Sequence, residues 1–113
     1  MQHSDLINKL QANEKVSFDD ALHVINDNYD YQATAFKNGD LDNAAGTNEG
    51  SCKIFAFALL NDLTAEQTLS LFGNYYWQDV LQDPEGSGHQ NIRHFIAHGW
   101  LGIHFEGVAL TAK

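Results

Sequence analysis

Gly50-Ser51-Cys52-Lys53-Ile54-Phe55-Ala56-Phe57-Ala58-Leu59-Leu60 is the stretch that decides the fold. From Ile54 to Leu60 it is apolar without a break, yet far too short to span a bilayer. Ala56, Ala58 and the paired leucines favour a helix over a buried strand. A helix that is apolar on every side belongs at the centre of a domain. Asn61-Asp62 ends it, and the rest of the chain has to supply the elements that cover it.

Downstream, Thr64-Ala65-Glu66-Gln67 reads as a capping box, with Thr64 as cap and Gln67 reaching back. Leu69, Phe72, Tyr76 and Val80 form the stripe of the helix it opens, Gly73 interrupts that stripe, and Pro84 closes the region. Tyr75, Tyr76 and Trp77 cannot all face one core, so at least one ring is exposed or covers another element. After the loop Glu85-Gly86-Ser87-Gly88, His89 to His98 reads as a helix with Ile92, Phe95 and Ile96 inward and Gly99 as its C-terminal stop. Trp100 to Phe105 reads as a strand, continued by Val108 to Leu110 past a bulge or turn at Gly107.

Upstream, Leu6, Ile7 and Leu10 mark a short first helix with Ser4 as its cap. Ser17 caps a second helix, whose apolar stripe is Phe18, Ala21, Leu22, Ile25 and Tyr29. The period then changes. Tyr29, Tyr31, Ala33 and Ala35 alternate with polar residues up to Phe36, as in a strand. Asn38-Gly39-Asp40 is a turn signal, and Leu41 to Gly50 reads as an ordered loop. A lone strand leaves its backbone groups unpaired, so the strand ending at Phe36 is expected to pair antiparallel with the C-terminal one. The expected fold is one α+β domain over residues 1–113, mostly helical, with about five helices and a two- or three-stranded antiparallel sheet. Ile7, Leu22, Ile25, Phe55, Leu59, Leu69, Phe72, Phe95 and Ile96 are its expected core.

Fifteen acids against six Lys and Arg leave a net charge of −9 among 113 residues. So acidic a chain repels phosphate backbones and anionic lipid, so neither nucleic acid nor a membrane is expected as partner. Cys52 is the single cysteine, which excludes an internal disulfide and a Cys-rich zinc site. The first twenty residues carry no secretory signal pattern.

Cys52 stands in the first turn of the central helix beside Lys53, where the helix dipole and the cation favour a thiolate. His89, at the start of its own helix, is the best-sited base, and the Asn48 amide could orient its imidazole. Cys52, His89 and Asn48 therefore form a candidate catalytic group, set against the alternative that Cys52 is buried and inert. Gly46-Thr47-Asn48-Glu49-Gly50-Ser51 offers backbone N–H groups to a small anion, while Glu49 argues against a highly charged phosphate. His94 and His98 share a helix face, expected to point to solvent, without the third ligand that a zinc site needs. Asp40-Leu41-Asp42-Asn43-Ala44-Ala45-Gly46 fails as a calcium loop at Ala44, Ala45 and Ser51. It is better read as a loop held by side-chain to backbone bonds from Asp40, Asp42, Asn43 and Asn48. No metal and no cofactor is expected.

Asn48-Glu49-Gly50-Ser51-Cys52-Lys53-Ile54-Phe55-Ala56-Phe57-Ala58, Gln67-Thr68-Leu69, Phe72-Gly73-Asn74-Tyr75-Tyr76, Asp79-Val80-Leu81, His89-Gln90-Asn91-Ile92-Arg93 and Gly99-Trp100 together resemble the HopJ family. The chain departs from that pattern at Trp77, where a basic residue is expected, and at Gly88, where an acid is. The resemblance implies a bacterial cytoplasmic protein, delivered by a type III system into a host cell where the bacterium is a pathogen. It implies no particular reaction. The leading expectation is action by binding a host or bacterial protein or a small ligand, with Glu49, Ser51, Lys53, Gln90 and Arg93 as candidate binding residues. The alternative is a thiol-dependent hydrolase or transferase that uses Cys52 and His89.

Overall fold

A computed structural model describes residues 1–113. Five α-helices, α1 (His3–Gln11), α2 (Phe18–Asn28), α3 (Glu49–Leu60), α4 (Ala65–Ser70) and α5 (Gln90–His98), are joined by a π-helix (Tyr75–Val80) and a 3-10 turn (Gly99–Gly102). The strands are β1 (Tyr29–Tyr31), β2 (Phe36–Asn38), β3 (Leu41–Asn43), β4 (Ile103–Phe105) and β5 (Leu110–Ala112). The fold is thus α+β and mostly helical, as the sequence indicates.

Helix α3 is the centre. Ile54, Phe55, Phe57 and Ala58 have no exposed surface. Phe55 meets the rings of Phe36, Phe72, Phe95 and Trp100 at centroid distances of 5.0–6.4 Å. Such tilted and edge-on contacts add to the burial of a large apolar side chain. The helix emerges at its C-terminal turn, however. Leu59 and Leu60 are about half exposed, so Leu59 is not a core residue. Ile96 is exposed as well, because α5 turns Asn91, Ile92 and Phe95 inward and leaves Ile96 over a shallow cleft with Val80, Leu81 and Pro84. Ile7 and Leu22 pack against the core from its edge.

Local signals account for most helix boundaries. Ser17 Oγ accepts from Asp20 N at 3.1 Å, and Thr64 and Gln67 form the reciprocal capping box. The first helix begins one residue before Ser4, with Gln2 as its cap and Asp5 accepting from the Gln2 N–H at 3.0 Å. Gly73 at φ +60° breaks the chain between α4 and the π-helix, where an added Cβ would meet the Phe18 backbone nitrogen at 2.8 Å. Only glycine fits so close an approach in the left-handed region.

The C-terminal segment pairs antiparallel with residues 29–38, but as two short ladders. Tyr29, Asp30 and Tyr31 face Ala112, Thr111 and Leu110, while Phe36, Lys37 and Asn38 face Phe105, His104 and Ile103. Residues 32–35 and 106–109, four on each side, separate the ladders, so the register carries through and Gly107 marks a bend instead of a bulge. Two features expected to be irregular or extended also change. Residues 41–43 are a third strand on β2 in place of a loop, and residues 99–102 are a 3-10 turn that precedes β4. That turn lets Trp100 tuck against Phe95 and donate from Nε1 to the Leu63 carbonyl at 3.2 Å.

Candidate functional site

The N-termini of α3 and α5 converge on an open groove of about 760 Å³. Asn48, Gly50 and Ser51 enter it from α3, and His89, Gln90 and Asn91 from α5. Phe18, Leu22, Leu41, Phe72, Tyr75 and Ile92 supply its apolar wall. None of these lining residues is Asp, Glu, Lys or Arg, although the whole chain carries a charge of −9. Gly50 makes room for the wall, since a Cβ there would lie 2.8 Å from Phe18 Cζ.

Both helices start from a non-glycine residue in the left-handed region, Asn48 at φ 50° and His89 at φ 55°. Neither N-cap side chain bonds its own helix, in contrast to Ser17 and Thr64 on α2 and α4. The N–H groups of Gly50, Ser51, Gln90 and Asn91 are without protein acceptors. Unsatisfied N–H groups at a helix start favour an acceptor or a negative charge.

An asparagine network holds the two helix ends together. Asn91 Nδ2 donates to Asn43 Oδ1 at 2.9 Å, and Asn43 Nδ2 donates back to Asn91 Oδ1 at 3.1 Å. Asn48 Nδ2 donates to Asn43 Oδ1 at 2.7 Å, and Asn38 Nδ2 donates to the Asn91 carbonyl at 2.7 Å and to Asn91 Oδ1 at 3.2 Å. Asn38, Asn43 and Asn91 are buried. Amides carry donors and acceptors without charge, so they suit a buried junction of four segments. Sequence reasoning missed Asn38 and Asn91. The loop composition suggests bonds from Asn43 and Asn48 to the loop backbone, whereas their partners in the structure are side chains. The available signal was four asparagines, two at the ends of strands that lead into turns and two at helix starts.

The structure divides the sequence candidates. Asn48, Ser51, His89 and Gln90 share the groove. Cys52 is buried on the other side of α3, where its Sγ donates to the Thr34 carbonyl at 4.0 Å. Each residue turns a helix by roughly 100°, so Ser51 and Cys52 face different directions. Burial pushes the Cys52 thiol above its ordinary value, and the nearby Tyr31 hydroxyl and Lys53 do not offset it. Burial, with Cys52 and Glu49 beside it, likewise raises the Tyr31 hydroxyl. Lys53 is occupied elsewhere, with Nζ 2.9 Å from Asn26 Oδ1 and over the Tyr31 ring. Arg93 clamps the preceding loop, donating to the Gly88 and Asp83 carbonyls at 2.6 and 2.8 Å.

His89 therefore has a different partner from the one expected. Its Nε2 lies 3.1 Å from Asp79 Oδ2, and its ring is 5.0 Å from that of Tyr75. The group that orients the imidazole is Asp79, and the Asn48 amide is committed to Asn43. Of the paired histidines, His98 is exposed and covers Gly39, while His94 Nδ1 is enclosed without a partner, so only part of that face meets solvent.

The model of the family described as HopJ type III effector protein matches residues 3–110. The crystal structure of the unknown function protein VPA0580 is similar over 100% of this chain and 95% of that chain, with 51% sequence identity and a TM-score of 0.97. No curated protein matches the chain.

Proposed function

The chain belongs to the HopJ family, and from that premise we propose that it acts by binding a small apolar carboxylate in the groove between α3 and α5. One observation carries this reading: two helix N-termini without side-chain caps open onto a groove that has an aromatic wall and no Asp, Glu, Lys or Arg in its lining. The free N–H groups suit one carboxylate, and the wall of Phe18, Phe72 and Tyr75 suits an apolar body. A polyphosphate is disfavoured by the acidic surroundings, Glu49 and Asp79 included. No helix of the protein is long and apolar enough to cross a membrane. The family description supports delivery through a type III system into a host cell as the setting in which the groove meets its ligand, with the bacterial cytoplasm as the place of synthesis.

Backbone amide NMR with phenylacetate, and with 2-phenylethanol as the uncharged control, tests the reading. Phenylacetate should shift the Gly50, Ser51, Gln90 and Asn91 amides saturably, and 2-phenylethanol should bind more weakly. Shifts scattered over the surface, or none up to tens of millimolar, would remove the groove as a ligand site.

A further inference from the structure

The titratable residues that line the groove are His89 and Tyr75. The π-helix presents Tyr75 and Asp79 together to His89. Its i→i+5 winding needs more than four residues per turn, so positions 75 and 79 lie nearly in line along its axis. A carboxylate on Nε2 fixes the imidazole tautomer with its proton on that nitrogen, which leaves Nδ1 as an acceptor. His89 also holds a left-handed backbone conformation, a strained state for a non-glycine residue that the surrounding fold must maintain.

We infer that Asp79 and His89 form a proton-transfer dyad and that the groove hydrolyses uncharged carboxylic esters with an apolar acyl group. The inference rests on the groove being the ligand site, and the apolar carboxylate bound there is then the product. His89 Nδ1 takes a proton from water as the water oxygen bonds to the ester carbonyl carbon. The carbonyl π electrons move to oxygen, where the free N–H groups at the two helix starts can receive the oxyanion. Collapse of the tetrahedral intermediate breaks the bond from carbon to the alcohol oxygen. The departing alkoxide takes the proton from His89, which returns the neutral imidazole. One ester and one water become one carboxylic acid and one alcohol. Asp79 acts as a positioning residue.

The test uses the full chain with p-nitrophenyl butyrate and hexanoate. Hydrolysis should saturate with ester, be inhibited by phenylacetate, and fall on the order of 10²-fold in His89→Asn, which tolerates the left-handed backbone. Asp79→Asn should lower kcat and displace the pH profile while KM changes little, which a merely structural loss would not do. Rates that do not saturate, or that are equal in His89→Asn, overturn the inference. If phenylacetate still shifts the groove amides in that case, catalysis alone fails; if it does not, the binding reading fails with it.

Discussion

Replacing Asn91 by alanine removes the middle of the network that joins the two helix starts. Three hydrogen bonds are lost, one from each of Asn38 and Asn43 to Asn91 Oδ1, and one from Asn91 Nδ2 to Asn43 Oδ1. The others survive, because Asn38 still reaches the Asn91 backbone carbonyl and Asn48 still reaches Asn43. What remains is one buried donor, Asn43 Nδ2, without an acceptor. At about 1 kcal/mol net for each neutral bond, with the unsatisfied donor adding to the loss, the expected destabilisation is about 3–4 kcal/mol. For a domain of this size that lowers Tm by roughly 10–15 °C. Urea unfolding followed by circular dichroism measures it, and the midpoint should move with little change in m. Asn91→Asp provides the chemical control. It keeps the accepted bonds but sets a second oxygen against Asn43 Oδ1, so its penalty should shrink at low pH, where protonation restores a donor. A loss below about 1 kcal/mol in Asn91→Ala, or a penalty for Asn91→Asp that does not depend on pH, would refute the claim that this network fixes the site.

Phe55→Ala empties the space between Phe36, Phe72, Phe95 and Trp100 and should cost about 3–5 kcal/mol in equilibrium unfolding; less than about 1 kcal/mol contradicts the central place of α3. Gly50→Ala drives a methyl group against Phe18 and should weaken phenylacetate binding to the folded variant, read by calorimetry, whereas an unchanged affinity would count against the groove. Cys52 and Tyr31 hold their protons more tightly folded than unfolded, so the Cys52 contribution to stability is full below the ordinary thiol value of 9.0 and the Tyr31 contribution below the ordinary phenol value of 10.0, each falling as pH rises above that value; iodoacetamide should accordingly react slowly with native protein near neutral pH and rapidly in urea. Deleting residues 103–113 removes β5, the partner of β1, and β4, one of the two partners of β2, and should leave a chain without cooperative melting, whereas a sharp transition would show that these ladders are dispensable.

Elements with local signals are legible in the order of residues alone. Ile54 to Ala58 fill the centre because no helix face there is polar, and Ser17 and Thr64 cap their helices with side chains three residues from the N–H they bind. The antiparallel pairing of the chain middle with its end was legible too, since a lone strand requires a partner. The family resemblance rested on the same local runs, from Asn48 to Trp100, and the matching region extends over residues 3–110. Features that depend on direction in space emerge only once the chain is packed. Cys52 and Ser51 are neighbours in sequence, yet one is buried against Thr34 and the other lines the groove. A dipole argument for the thiol considers only its own helix, whereas burial, which depends on distant residues, is the larger effect at Cys52. His89 turned to Asp79 because the π-helix brings that carboxylate to it, and an i→i+5 segment has no clear sequence signature. Asn38 and Asn91 lie 53 residues apart and look like ordinary polar positions until the fold buries them against each other. Local propensity can place each amide in a turn or at a helix start, but only packing removes the water and makes their mutual hydrogen bonds obligatory.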